Sequence, residues 1–322
     1  MGLSGALRAL KSSNIISWKS SGRFQQTLGR HVEVTGKGLH SGKESTVMIW
    51  PEYAGKGRYF DFRSSKNHSI PASIDFVLQN SPLCTTLFSE RLKVQTVEHL
   101  LSALEATGVD NCRIQIFNNN NNNEDDCSFE VPILDGSAKK WVEAIEDASL
   151  VEAIDEWGNK SERLSPYLIE PVYVQKNDSF VVAFPSDKLC ITYGIDFSQV
   201  RAIGRQWFSV APLDDNSYIK EIASSRTFCV YEEVELMRQM GLIKGGSLDN
   251  AIVCSVSKGW LNPPLRFSEE PCRHKILDLV GDLSLLARFG NQGLPAAHIV
   301  AYKGGHSLHA DFAHCLNESF RS

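Results

Sequence analysis

No stretch of this chain stays apolar for the roughly 18 to 20 residues that a membrane-spanning helix requires, so no segment is expected to cross a bilayer. The eight cysteines, at positions 84, 112, 127, 190, 229, 254, 272 and 315, contain no CxxC and no other short paired spacing. That absence speaks against a structural zinc knuckle. Scattered thiols fit a reducing compartment better than a disulfide framework. Acidic residues are missing from the first 30 positions, which carry Arg8, Lys11, Lys19, Arg23 and Arg30. The net charge of −5 therefore hides a basic start and a body more acidic than the total. A body of that sign argues against nucleic acid as a partner.

What is present fits a globular protein large enough for two domains, with 322 residues, 42% of them apolar and 22% charged. Residues 1–22 are basic, rich in serine and free of acids, with Leu3, Ala6, Leu7 and Leu10 at helical spacing. This is the composition of a transit peptide, with a mitochondrial address expected and a plastid one as the alternative. Short alternating segments punctuated by glycine follow to about Phe76 and predict an antiparallel sheet. His31, His40 and His68 fall among them and are expected to be structural, although His40, in a glycine-flanked turn, could border a site. The asparagine run Asn118–Asn123 reads as a low-complexity loop insertion with no catalytic role. The polar segment 154–166 is the expected linker between a first domain, 23–153, and a second, 167–322. Both halves carry strands and helices in similar order, which predicts a duplicated α+β architecture without a residue-level repeat.

Two helical stretches concentrate chemistry. In Arg273–Arg288, Ile276, Leu279, Val280, Leu283 and Ala287 form an apolar stripe, and His274 and Asp278 lie together on the opposite side. In the helix predicted from Thr96 to Ala106, Val97, Leu100, Leu101 and Leu104 form the buried stripe, leaving Glu98 and His99 off it. A catalytic zinc takes three protein ligands and leaves a fourth position for water, and His99, His274 and Asp278 meet that count. Glu98 suits the proton acceptor, and His306, in AYKGGHSL, suits the group that protonates a leaving atom. On the residues alone, a surface Glu-His pair and solvated helix polar groups remain open.

The segments GKGLHSG, TVEHLLSAL, PILDGSA, IDF, SRTF, GGSLDNAIV, HKILDLVGDL and AYKGGHSL occur in the order and approximate spacing of the UDP-3-O-acyl-N-acetylglucosamine deacetylases, zinc enzymes of lipid A synthesis. The chain resembles that family over about residues 23–316. The resemblance implies two similar domains, each a sheet layered with helices, with the helices packed between the two sheets. It implies zinc bound by His99, His274 and Asp278, Glu98 as general base, and His306 as a positively charged catalytic histidine oriented by Asp282. Thr227, in SRTF, matches the donor to the oxyanion. Lys275 and Lys303 are implied at the substrate diphosphate and Phe197 beside the nucleotide. A strand-helix-strand insert at about 228–262 would form the passage for the acyl chain. Cys229 and Val230 stand where bacterial members commonly have glycine and phenylalanine, and Cys84 is either a thiol near the metal or a buried structural one. The implied reaction is hydrolysis of the 2-acetamido group of an acylated UDP-sugar by a monomeric enzyme. The alternatives are a zinc amidohydrolase acting on another acetylated sugar or amide, and a relict of the fold kept as a binding protein.

Overall fold

The computed structural model describes residues 15–62, 69–79, 81, 83–118 and 127–321. The asparagine run after Asn118, Pro82 and the first 14 residues of the expected transit peptide lie outside them.

Two five-stranded sheets share one topology. The first runs, in spatial order, Val32–Lys37, Glu44–Pro51, Cys112–Asn118, Arg58–Asp61 and Ser69–Pro71. The second runs Val172–Lys176, Ser179–Pro185, Ala297–Tyr302, Cys190–Phe197 and Gly204–Val210. In each, the strand that comes last in sequence enters the middle, antiparallel to the second strand and parallel to the third. The duplication expected from element order is thus present as topology. Alternation places the strands: in Glu44–Pro51 the side chains of Ser45, Val47 and Ile49 are buried and their neighbours are not.

The described residues form six α-helices: α1 (Glu98–Ala106), α2 (Lys139–Ala148), α3 (Asp215–Glu221), α4 (Tyr231–Gln239), α5 (Glu270–Leu283) and α6 (His306–Arg321). Helices α1 and α5 pack along each other, α5 also lies on Cys190–Phe197, α6 lies on Val172–Lys176, and α2 lies beside Val32–Lys37. Helices α1, α2, α5 and α6 therefore occupy the space between the sheets, an α+β sandwich with one continuous core. None of these helices is long and apolar enough to cross a membrane. All eight cysteines are free thiols.

Three expectations shift. Ile16–Phe24 is a strand paired antiparallel with Glu162–Leu168, and Ile16 is fully buried. The end expected for the presequence at residue 22 therefore falls inside the fold. The same pairing turns the second half of the expected linker into a strand. Its polarity is that of buried partners, since Arg163 Nε donates to Asp110 Oδ1 at 2.7 Å with both side chains enclosed. Helix α5 has no solvated face: every residue in it except Arg273 and Lys275 is buried, because α1 covers the side opposite the sheet. It starts three residues before the predicted Arg273, with Pro271 in its first turn, where a missing N–H costs nothing. A 3-10 turn, Ser284–Leu286, ends it before the predicted Arg288, and Ser284 Oγ donates to the Gly281 carbonyl at 2.6 Å.

Candidate active site

The start of α1 meets the middle of α5. A Cβ placed on Gly281 would lie 2.1 Å from the carbonyl oxygen of Glu98, so only glycine lets the two backbones approach this closely. That contact brings His99 from α1 beside His274 and Asp278 from α5, one turn apart on the same face. The ligand-capable atoms of the three residues lie within 4.8 Å of one another. His274 Nε2 is 3.2 Å and His99 Nε2 3.7 Å from Asp278 Oδ1, and the two rings meet edge to face. His274 Nδ1 bonds the carbonyl of Ser225 at 3.0 Å, which leaves Nε2 as its outward nitrogen. His99 is buried, and its Nδ1 has no hydrogen-bond partner in the protein. Two imidazoles and a carboxylate, enclosed and with one ring nitrogen unpaired, fit a divalent cation. Burial acts to raise the Asp278 carboxyl, but His274 and Lys275 outweigh it and hold it well below the usual range.

Glu98 sits beside this triad with its side chain buried. Burial pushes its carboxyl up to about 7, against the opposing pull of His306. Its Oε2 accepts from the Thr85 backbone N–H at 3.0 Å, and its Oε1 lies 3.7 Å from His306 Nε2. Burial pulls the His306 imidazolium down, but the Asp282 carboxylate 2.9 Å from Nδ1, with Glu98 and Asp278, raises it to about 10. Asp282 is itself brought down to about 2, because His306 and His309 outweigh the effect of burial. One buried chamber thus holds a triad whose donor set fits a cation, a carboxyl poised near neutrality and a histidine kept charged.

Alongside it opens a cavity of about 480 Å³ whose wall includes Phe197, Thr227, Phe228, Val230, Val234 and Met237. His40, Lys275 and Cys229 also line it, so the glycine-flanked turn borders this cavity. The expected strand-helix-strand excursion forms much of this wall, with Phe228–Val230 and Ile252–Ser255 paired in parallel around α4. Thr227 follows Ser225, the anchor of His274, by two residues, and Phe197 meets Phe228 edge to face at 5.3 Å. Lys275 Nζ donates to Asp278 Oδ2 at 2.8 Å. Lys303 is not part of this wall; it pairs with exposed Asp178. Cys84 is buried beside Thr86, 3.6 Å from its hydroxyl, and is not one of the triad.

The far side of the cavity depends on a contact between halves. The Gly38–Gly42 turn is held by Glu130, which accepts from the backbone N–H groups of His40 and Ser41 at 2.7 and 2.9 Å. The turn then meets the insert, where Gly245 N–H donates to the Leu39 carbonyl at 2.9 Å. A Cβ at Gly245 would stand 2.1 Å from the Gly38 carbonyl oxygen. Gly245→Ala is expected to push the insert away from the turn and lower the melting temperature by a few degrees, since overpacking of this kind costs about 1 to 3 kcal/mol. An unchanged melting temperature would show that this contact sets no packing limit on the turn and the insert.

Thr85, His309 and Tyr193 were not singled out by the sequence reading, although each touches the chamber or its supports. Only His309 carried a signal, lying three residues after His306 on one helix face.

Comparison with known proteins shows the family. A family model described as UDP-3-O-acyl N-acetylglycosamine deacetylase matches residues 25–318. An Arabidopsis thaliana protein named "Probable UDP-3-O-acyl-N-acetylglucosamine deacetylase 1, mitochondrial" is 62% identical over 305 residues, covering 95% of this chain and 91% of that protein. A UDP-3-O-acyl-N-acetylglucosamine deacetylase of the cyanobacterium Trichormus variabilis is 46% identical, over 90% of this chain and 96% of its own length. Its counterpart from Thermosynechococcus vestitus is 43% identical, over 91% and 93%. With the match running across both sheets and all six described helices, this chain belongs to the UDP-3-O-acyl N-acetylglycosamine deacetylase family.

Proposed function

We propose that this protein hydrolyses the 2-acetamido group of UDP-3-O-(3-hydroxyacyl)-N-acetylglucosamine to acetate and the free amine, using one zinc ion held by His99, His274 and Asp278. The observation that carries the reading is the buried triad standing beside Glu98 and the His306–Asp282 pair, with Lys275 linking Asp278 to an apolar cavity. A zinc ion there would supply Lewis acidity, polarising the amide carbonyl and acidifying water toward neutrality. The side chains divide the remaining work. Glu98 accepts the proton of the attacking water, a task matched by a carboxyl near neutrality. Thr227 donates its hydroxyl to the oxyanion, and His306, charged by Asp282, stabilises it electrostatically. The departing amine takes its proton from His306 or from Glu98. Lys275 meets the diphosphate as a compact point charge, Lys303 does so once released from Asp178, and Phe197 flanks the nucleotide. Acyl methylenes buried in the cavity contribute about 0.8 kcal/mol each.

The reaction is a committed step of a lipid A-type glycolipid synthesis, carried out by a monomer with residues 1–14 as part of a mitochondrial address. Plant relatives whose names carry that compartment support the address. Purified protein should contain a single zinc per chain and release acetate from the acylated UDP-sugar. Turnover on simple acetylated amines without turnover on the UDP-sugar would instead assign another amide substrate.

The pH profile checks the proton roles. Glu98 must be ionised, so activity is lost as pH falls through its pKa; His306 must be protonated, so activity is lost as pH rises through its own. The two stand at about 7 and about 10, and a neighbouring cation lowers both. The acid limb is therefore expected at or below about 7 and the alkaline limb at or below about 10. A kcat/KM that stays flat through the alkaline range would remove His306 from the reaction.

A further inference from the structure

His306 is one of three side chains that hold Asp282. Asp282 Oδ1 accepts from the hydroxyl of Thr85, and Oδ2 receives Nδ1 of His306 at 2.9 Å and Nδ1 of His309 at 2.8 Å. His309 is fully buried, and its Nε2 lies 2.8 Å from the hydroxyl of Tyr193, which is fully buried as well. Space is kept for that pair: a Cβ on Gly304 would stand 2.6 Å from the Tyr193 oxygen and 3.1 Å from His309 Nε2.

The protonation pattern follows from these contacts. Asp282 is ionised, so an imidazole nitrogen 2.8 Å from its oxygen carries a hydrogen. Protonating His309 at both nitrogens would set a second imidazolium against the one at His306, with ring centroids 6.2 Å apart and a single carboxylate between them. Burial, the largest influence on His309, also disfavours its charged form. The remaining state is a neutral ring with a hydrogen on Nδ1 and a lone pair on Nε2. Tyr193, whose hydroxyl is kept protonated by burial, donates to that lone pair.

We infer that His309, locked by Tyr193 as the neutral Nδ1–H form, is a positioning residue that holds the Asp282 carboxylate in line with His306. With Thr85 on one oxygen and His309 sharing the other, Asp282 has a single orientation, and His306 is steered with its Nε2 toward Glu98. His309 acts on the reaction only through Asp282 and His306, so the inference rests on the role given to His306 above.

Two readouts separate this from a packing role. In the zinc-loaded full-length protein with ¹⁵N-labelled histidine, NMR should find His309 as a single neutral Nδ1–H tautomer. Tyr193→Phe should convert that signal to a mixture of tautomers. In kinetics on the acylated UDP-sugar, His309→Ala should lower kcat by roughly 10-fold with KM nearly unchanged. His309→Asn, whose amide nitrogen can take the place of Nδ1, should recover much of the loss. An imidazolium or an Nε2–H tautomer at His309 in the wild-type protein would overturn the inference. So would wild-type kcat in His309→Ala, or equal impairment of the Ala and Asn variants. Should the wild-type protein fail to release acetate from this substrate, the proposed reaction falls, while the tautomer measurement still decides the state of His309 and its bond to Tyr193.

Discussion

Glu98→Gln is expected to lower turnover by roughly 10²- to 10⁴-fold while leaving metal content unchanged. The amide keeps nearly the shape of the carboxylate, and its oxygen can still accept the Thr85 N–H that fixes Oε2. What it loses is the ability to take a proton. Glu98 is not among the three residues whose ligand-capable atoms converge, so the triad should bind its cation as before. Glu98→Ala should lose activity to a similar extent, but it also leaves the Thr85 N–H without its partner. The glutamine variant is therefore the sharper test. Zinc analysis, KM and kcat on one preparation decide the matter. Loss of metal from Glu98→Gln would make Glu98 a support of the triad instead of a base. Retention of full kcat would require another proton acceptor, and the buried carboxylates nearest to hand, Asp278 and Asp282, are held below the usual range and are poor bases.

Much of the proposed site is legible in the sequence because five of its residues fall on two helices with clear periodicity, Glu98 and His99 on α1 and His274, Asp278 and Asp282 on α5. The expected stripe of Val97, Leu100, Leu101 and Leu104 is fully buried, and Glu98 and His99 beside it are buried as well. The insert helix, which spacing predicts over Glu232–Met240, is observed at Tyr231–Gln239. Periodicity fails where an element is enclosed on every side. In α5 the spacing leaves a solvated face open for the residues opposite the apolar stripe, and His274, Asp278 and Asp282 are instead buried against α1 and α6. The polar stretch around Arg163 read as a linker for the same reason: its partner Asp110 lies 53 residues earlier and both are enclosed. Thr85 was read only as part of a strand, because what gives it a role is Asp282, 197 residues away. Contacts of that span leave no local pattern.

Gly281 is a second residue without a local signal, and Gly281→Ala is expected to cost the protein both metal affinity and activity. Helix propensity alone favours the change, since alanine is better than glycine inside a helix by about 1 kcal/mol. The contact opposes it, because the added methyl would lie 2.1 Å from the carbonyl oxygen of Glu98 and 2.8 Å from its carbonyl carbon. Those are backbone atoms and cannot rotate aside, so the start of α1 must shift away from α5. Overpacking of this kind costs about 1 to 3 kcal/mol, enough to outweigh the propensity gain at all but the low end of that range. The shift also falls where it does most harm, since Glu98 and His99 stand on α1 while His274, Asp278 and Asp282 stand on α5. On the proposed roles, separating the helices by even a few tenths of an ångström would pull His99 from His274 and Asp278 and move Glu98 away from the triad. The variant should bind zinc more weakly, show a lower kcat even when saturated with metal, and melt a few degrees below the wild type. Unchanged zinc affinity and kcat would mean that the triad does not depend on the approach of these two backbones. A lower melting temperature with full activity would confine Gly281 to stability.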